Sequence, residues 1–359
     1  MTSFGAVWYC FFCFAMGSCT HSEQPQLAPS PAFYHWKTQL KLDKAKRSYL
    51  DSIGVKKLYV KFFDVDWDGA TTQPVPLATV ELDTINLNGL EIVPTIFITN
   101  RTLLNLPMQQ LDTLASLIFQ KIKSLQTQTP LEIQFDCDWT AKTQAKYFAL
   151  LTSFRQIASF DSSFIIHHSS LILSATIRLH QSKYFEKTGV PPVDRGMLMC
   201  YNMGDLENWE IENSILDLEV AKTYLPPIVN RQSSIIDPYP IPLDFALPLF
   251  RWGVLFRDGR MIKLLNGLSV EDLQDTSRFQ KMAENRYEVR KSTYLQMHYL
   301  YVGDRLRLDG VSPEALLSMT KLLGERINDS PTTLAFYHID STATQLFPKE
   351  KIIATLRQF

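Results

Sequence analysis

In the run LEIQFDCDWT, residues 131–140, Asp136 and Asp138 stand two positions apart in a strand-like segment, with Trp139 behind them. Strand alternation puts both carboxyl groups on one face. A carboxylate buried there without a partner is costly, or it takes up a proton and becomes neutral. That face is therefore expected to meet water or a bound molecule rather than an apolar core. Two neighbouring carboxyl groups suit acid and base work, and hydrolysis of a glycosidic bond needs such a pair.

Other apolar runs end in the same polar fashion. Reading along the chain, they close on His35 and Trp36, Asp64 and Asp66, Asn100, then Asp136 and Asp138. Further on they close on Arg178 and His180, Tyr201 and Asn202, Arg251 and Trp252, and His338 and Asp340. In SATIRLHQ, Ser174, Thr176, Arg178 and His180 share one parity, while Ala175, Ile177 and Leu179 share the other. One face of that strand should meet helices and the other a polar axis.

The elements that carry these ends are eight β-rich runs, at 32–36, 57–67, 90–98, 131–139, 171–180, 196–203, 242–250 and 333–340. Helical periodicity falls between them at 38–53, 104–126, 141–158, 182–188, 207–223 and 312–326, the last opening on Ser312-Pro313-Glu314 as cap and first turn. Strands alternating with helices predict a TIM-like (β/α)8 barrel filling residues 33–359 as one domain. Residues 251–308 break the alternation. WGVLFRDGRMIKLL and MHYLYVGDRLRLDG read as a hairpin and a strand pair around Asp258-Gly259 and Asp309-Gly310. They predict a β-rich insertion before the last strand.

In such barrels chemistry gathers where strands end. Asp138 is the first choice for an essential carboxyl group, with Asp136 beside it. The second carboxyl is expected from Asp66, Asp64 or Asp340. Asp64, His35, Trp36, Arg178, His180, Tyr201, Asn202, Trp252 and His338 are the expected substrate-binding set, and Trp36, Trp139, Trp252 and Tyr201 offer rings on which sugars stack. Each also has a plainer role: Asp136 and Arg178 as a buried ion pair, the histidines as hydrogen-bonded rim residues, the tryptophans as packing.

Charge and composition narrow the field. The 36 basic and 37 acidic residues give a net charge of −1 without a long basic run, which argues against nucleic acid as a partner. Beyond the apolar run at the start of the chain, which holds Cys10 and Cys13, there is no HExxH, CxxC or Gly-rich phosphate cradle, so no metal and no cofactor are called for. Asn100-Arg101-Thr102 is a glycosylation sequon by pattern only, and His167-His168 reads as a loop or strand edge. Residues 1–19 hold the apolar run FGAVWYCFFCFAMGSC, shorter than a comfortable membrane span and ending on small residues, as a secretory leader does. Met16-Gly17-Ser18-Cys19 resembles a bacterial lipobox, although no Lys or Arg precedes the apolar run. That resemblance implies lipid attachment at Cys19, a tether over residues 20–32, and an exported protein that meets the membrane through its anchor alone. Cys137 and Cys200 read as small core residues.

FDCDWT further resembles the fourth strand of family-18 glycoside hydrolases, the chitinase-like barrels, whose motif runs Asp-x-Asp-x-Glu. Asp136 and Asp138 match the two aspartates. Thr140 stands where the family has its catalytic acid. MLMCYNMGD is similar to that family's sixth strand, at Met199, Tyr201 and Asn202. From IQFDCDWT to FRWGVLFRDG, roughly residues 130–260, the chain also resembles an uncharacterised bacterial family of exported barrel proteins. These resemblances imply a barrel that processes glycans. Two functions are expected from them: a glycoside hydrolase or related glycan-processing enzyme, or a non-catalytic glycan-binding lipoprotein that has lost its acid.

Overall fold

In the computed structural model, residues 28–161, 171–225, 239–326 and 332–359 are described. The leader, Cys19, most of the tether and His167-His168 lie outside the described residues. Eight parallel strands pair in chain order: β1 (Ser30–His35), β2 (Lys57–Asp68), β3 (Glu91–Ile98), β4 (Glu132–Asp136), β5 (Ile172–Arg178), β6 (Arg195–Met199), β7 (Leu243–Pro248) and β8 (Thr333–Tyr337). Ser30 lies opposite Thr333 of β8 and Ala32 opposite Lys57 of β2, so the seam is paired on both sides. The sheet is a closed TIM-like barrel, as the alternation predicted.

Helices wrap it where the sequence supplies apolar stripes. They include α1 (Lys44–Ile53), α2 (Leu111–Leu125), α3 (Gln144–Phe160) and α4 (Pro313–Gly324). Asp43 caps α1 by accepting from the Lys46 N–H at 2.8 Å, and Ser312 caps α4 by accepting from that of Ala315 at 3.1 Å. Outward residues of β4 meet this layer: Phe135 packs edge-on against Phe154 of α3, their centroids 4.9 Å apart. Cys137 and Cys200 are buried and free, as core residues.

Two expectations about elements need correction. The helix expected over 207–223 is reduced to Leu218–Tyr224. Side chains of the insertion compete for the carbonyls upstream of it: Arg286 Nη2 donates to those of Trp209, Glu210 and Ile211 at 3.0–3.1 Å, and Asn285 to that of Glu212 at 2.7 Å. Asp309-Gly310 is likewise no hairpin turn, because Asp309 ends a strand and takes a fork from fully buried Arg307 at 2.8 and 2.9 Å. The Asp258-Gly259 turn does form, with φ of 49° and 74°, as a two-residue hairpin loop requires. It belongs to a five-stranded sheet, with Trp252–Arg257 and Arg305–Asp309 at its centre, inserted between β7 and β8.

The barrel interior is polar from its lower end upward. Lys57 reaches Glu132 at 2.7 Å and Glu91 at 3.5 Å, and Glu132 also accepts from Ser174 at 2.6 Å. Arg195 forks onto Asp244 at 2.9 and 2.7 Å, and Asp244 accepts the Thr333 N–H at 2.7 Å. Above them Tyr34 stacks on Tyr59 and donates to Gln134 at 2.6 Å. Glu132, Gln134 and Asp136 thus form a polar ladder up one strand, each rung partnered from a neighbour.

Asp244 holds three of those bonds while almost fully buried. Replacing it with Ala removes both bonds of the Arg195 fork and the acceptor of an amide of β8. We expect Asp244→Ala to lower stability by about 3–5 kcal/mol, read as a fall in the urea midpoint with the slope unchanged. A loss under about 1 kcal/mol, the range of exposed pairs, would refute this account of the lower barrel.

Candidate active site

The upper end of the barrel opens into a cleft of about 610 Å³. Its acids are Asp136, Asp138 and Asp340, and its cations Lys37, Arg178 and Arg251. Asp136 is the last residue of β4 and 6% exposed, accepting a 2.6 Å hydrogen bond from Thr176 on β5. Two residues on, the Asp138 side chain is 51% exposed and receives the Arg178 Nε–H. The buried ion pair expected between Asp136 and Arg178 is therefore not formed: Arg178 pairs with the half-exposed Asp138. Asn100 fixes the backbone here by donating to the Asp138 carbonyl, and it accepts from Thr143 at 2.6 Å.

Burial and charge set Asp136 apart. Burial raises its pKa to about 6; the Arg178 charge opposes this and the Asp138 carboxylate adds to it. Burial also lowers the pKa of His338, with the Asp340 carboxylate opposing. Its Nε2 lies 3.8 Å from Asp340. Asp340 caps the helix that follows by accepting from the Ala343 N–H at 2.8 Å, and Lys37 approaches it at 3.4 Å.

Aromatic rings form the rest of the wall. Trp36 and Tyr337 have centroids 5.7 Å apart, Tyr337 and Tyr201 5.3 Å, and Phe250 and Trp252 5.0 Å. Of the expected residues, the cleft brings together Asp136, Asp138, Asp340, Trp36, Arg178, Tyr201, Asn202, Trp252 and His338. Asn202 sits at φ 55°, a left-handed turn that Asn tolerates.

Five expected residues lie elsewhere. His35 has the opposite parity to Tyr34 and bonds the Gln39 carbonyl at 2.9 Å, outside the barrel axis. His180 falls in a helix, Leu179–Lys183, because β5 ends at Arg178. Asp64 is held by Lys61 at 3.0 Å. Asp66 is locked by Arg101, and by Thr99 at 2.8 Å; the Arg101 hydrogen bond is the main reason its pKa falls below the usual aspartate value. Trp139 turns into the outer layer, stacked on Tyr147 with its indole N–H on the Thr188 carbonyl at 2.8 Å. Thr140 is also out of the cleft, its backbone N–H bonded to Thr143 Oγ1 at 2.9 Å where the chain turns towards α3.

Sequence reasoning overlooked Tyr337, Phe250 and Lys37, and gave Arg251 no role. Tyr337 ends an apolar strand, a position at which a ring reads as packing. Among the described residues no group of three His, Cys, Asp or Glu side chains could hold a metal ion.

No protein-family model matches the chain, and no curated protein does. Solved structures match it at low identity. The spore cortex-lytic enzyme SleL of Bacillus cereus superposes with a TM-score of 0.50 at 14% identity, covering 91% of this chain and 74% of that one. An immunomodulatory chitinase from Trichuris suis gives 0.52 at 10%, covering 92% and 99%. Chitinase ChiA74 of Bacillus thuringiensis gives 0.50 at 9%, covering 90% and 70%. At such identities the likeness is one of fold. The distant similarity to the chitinase-like barrels, expected from Asp136, Asp138 and Met199 to Asn202, holds at that level.

The raised Asp136 pKa has a consequence for stability. Unfolding returns the group towards its ordinary 3.8, so the folded state holds this proton more tightly. The stability it contributes is complete below about pH 4 and is lost as pH rises through 6, a change of about 3 kcal/mol. Asp136→Asn should abolish this loss, gaining on the wild type by about that amount between pH 4 and pH 7 in urea titrations. Parallel pH profiles for the two proteins would contradict the assignment.

Proposed function

We propose that this protein processes glycans in the barrel cleft, with Asp136 as the proton-holding group and Asp138 as the charged one. One observation carries the reading: two carboxyl groups two residues apart lie in opposed environments, one buried with its pKa raised to about 6, the other half-exposed beside Arg178. Pairs of acids driven apart by their surroundings are how acid and base roles are divided. Asp136 would protonate the leaving oxygen, while Asp138, oriented by Arg178, would stabilise the charge developing on the sugar. Trp36, Tyr201, Tyr337 and Trp252 give faces on which rings stack, and Asn202 gives a polar contact. That chitinases and a spore cortex-lytic enzyme share this fold supports the substrate class.

The test is reducing-end release from a panel of bacterial and host-type glycans. Wild type should release product, and Asp136→Asn and Asp138→Asn should each lose about a hundredfold or more. Activity should decline as pH rises above about 6, where Asp136 loses its proton.

A second reading, glycan binding without hydrolysis, is favoured by Thr140, which leaves the cleft without the family-18 acid, and by the commitment of Asp138 to Arg178. Binding to a glycan with no release from any of them would select it.

The same proposal includes export and lipid anchoring at Cys19, supported by the leader and its Met-Gly-Ser-Cys ending. Labelled fatty acid should be incorporated into the protein in a bacterial host and not into Cys19→Ala. Equal labelling of both would remove the anchor from the account.

A further inference from the structure

The cleft is divided by charge. On the side of β4 and β5 lie Asp136, Asp138 and Arg178, and the guanidinium there is committed to Asp138. On the side of β1, β7 and β8 lie Lys37, Arg251 and His338, with Asp340 the single carboxylate among the cleft-lining residues of that side. Asp340 is itself occupied by a helix cap and by Lys37.

Arg251 stands out among the three cations. Among the described residues, no carboxylate lies within ion-pair distance of it, and its Nε is buried with no hydrogen-bond partner. Glu271 feels its charge without touching it. Arg251 thus brings to the cleft wall a guanidinium without a carboxylate partner among the described residues, its buried Nε unbonded within the protein. A guanidinium presents a planar fork that matches a carboxylate at two points.

We infer that the glycan taken by this cleft is acidic, and that Arg251 receives the carboxylate of one of its sugar units. This rests on the glycan reading above and adds the chemistry of the substrate to it. Stacking a sugar ring over Phe250 and Trp252 covers the neighbouring Arg251 from solvent. A neutral ring would leave the guanidinium covered and unpaired; a uronate or similar acid completes it. Lys37, with its side chain 58% exposed at the rim, adds a long-range attraction for the same anion. His338 lines the same side of the cleft.

The experiment is calorimetric binding of oligosaccharides that alternate N-acetylglucosamine with glucuronate, against the same oligosaccharides with their carboxyl groups reduced to alcohols. The wild-type protein should bind the acidic chain at least about tenfold more tightly. In Arg251→Gln that ratio should collapse to about one, and in Arg251→Lys, which keeps the charge but loses the fork, it should fall to an intermediate value. Equal binding of acidic and reduced chains by the wild type overturns the inference and leaves the glycan cleft standing. An acidic preference that persists in Arg251→Gln overturns the role of Arg251. If neither chain binds, while neutral and acidic polymers of other composition also fail, the glycan reading falls and this inference falls with it.

Discussion

A charge inside a closed barrel has nowhere to find water, so each one facing the axis must be met by another group. The structure depends on this requirement. It explains why β4 can carry Glu132, Gln134 and Asp136 in a row: Lys57 and Tyr34 reach across the barrel from β2 and β1, and Thr176 from adjoining β5. It also explains why the lower barrel is filled by mutually paired charges while the upper end leaves charged groups facing a cleft. Towards the mouth, where the cleft opens, water and ligand can serve as partners, and the groups become available for chemistry. Asp136 sits at the boundary between the two regimes. It is deep enough to be desolvated, yet the group that bonds it among the described residues is a hydroxyl.

The same requirement decided which parts of the molecule could be read from the chain. Period-two alternation of polar and apolar residues in β4 and β5 directly reflects a wet axis and a dry outer layer, and it located Asp136, Asp138 and Arg178 correctly. Where that period was not followed to its end, the reading went astray. His35 and Trp36 are neighbours and cannot share a face, yet both were expected in the cleft. His180 shares parity with Arg178 only if the strand continues, and the chain becomes helical at Leu179. The aromatic wall was hidden for another reason. Tyr337 and Phe250 follow apolar runs, and nothing in a residue type distinguishes a ring that packs from one that lines a mouth.

Asp64 and Asp66 illustrate a third limit. Their partners, Lys61 and Arg101, are three and thirty-five residues away, and only the barrel closure of β2 against β3 brings Arg101 within reach of Asp66. A carboxylate at a strand end is legible; whether a distant cation has already claimed it is not. Asp138 is claimed in the same way, by Arg178 across the β4 to β5 gap, and in its case the claim orients the group without hiding it.

The inserted sheet is bound to the loop that follows β6 as firmly as to the barrel. Arg307 and Arg286 hold carbonyls of residues 208–211, Ser214 donates its N–H to Asp309 at 3.1 Å, and the Trp252 indole donates to Ser214 at 3.2 Å. The residues that carry Tyr201 and Asn202 into the cleft are thus tied to those that carry Trp252. These bonds join the two sides of the mouth into one rim rather than a pair of jaws, so that, under the proposed glycan reading, a chain would enter end or bend first instead of being clasped from the side.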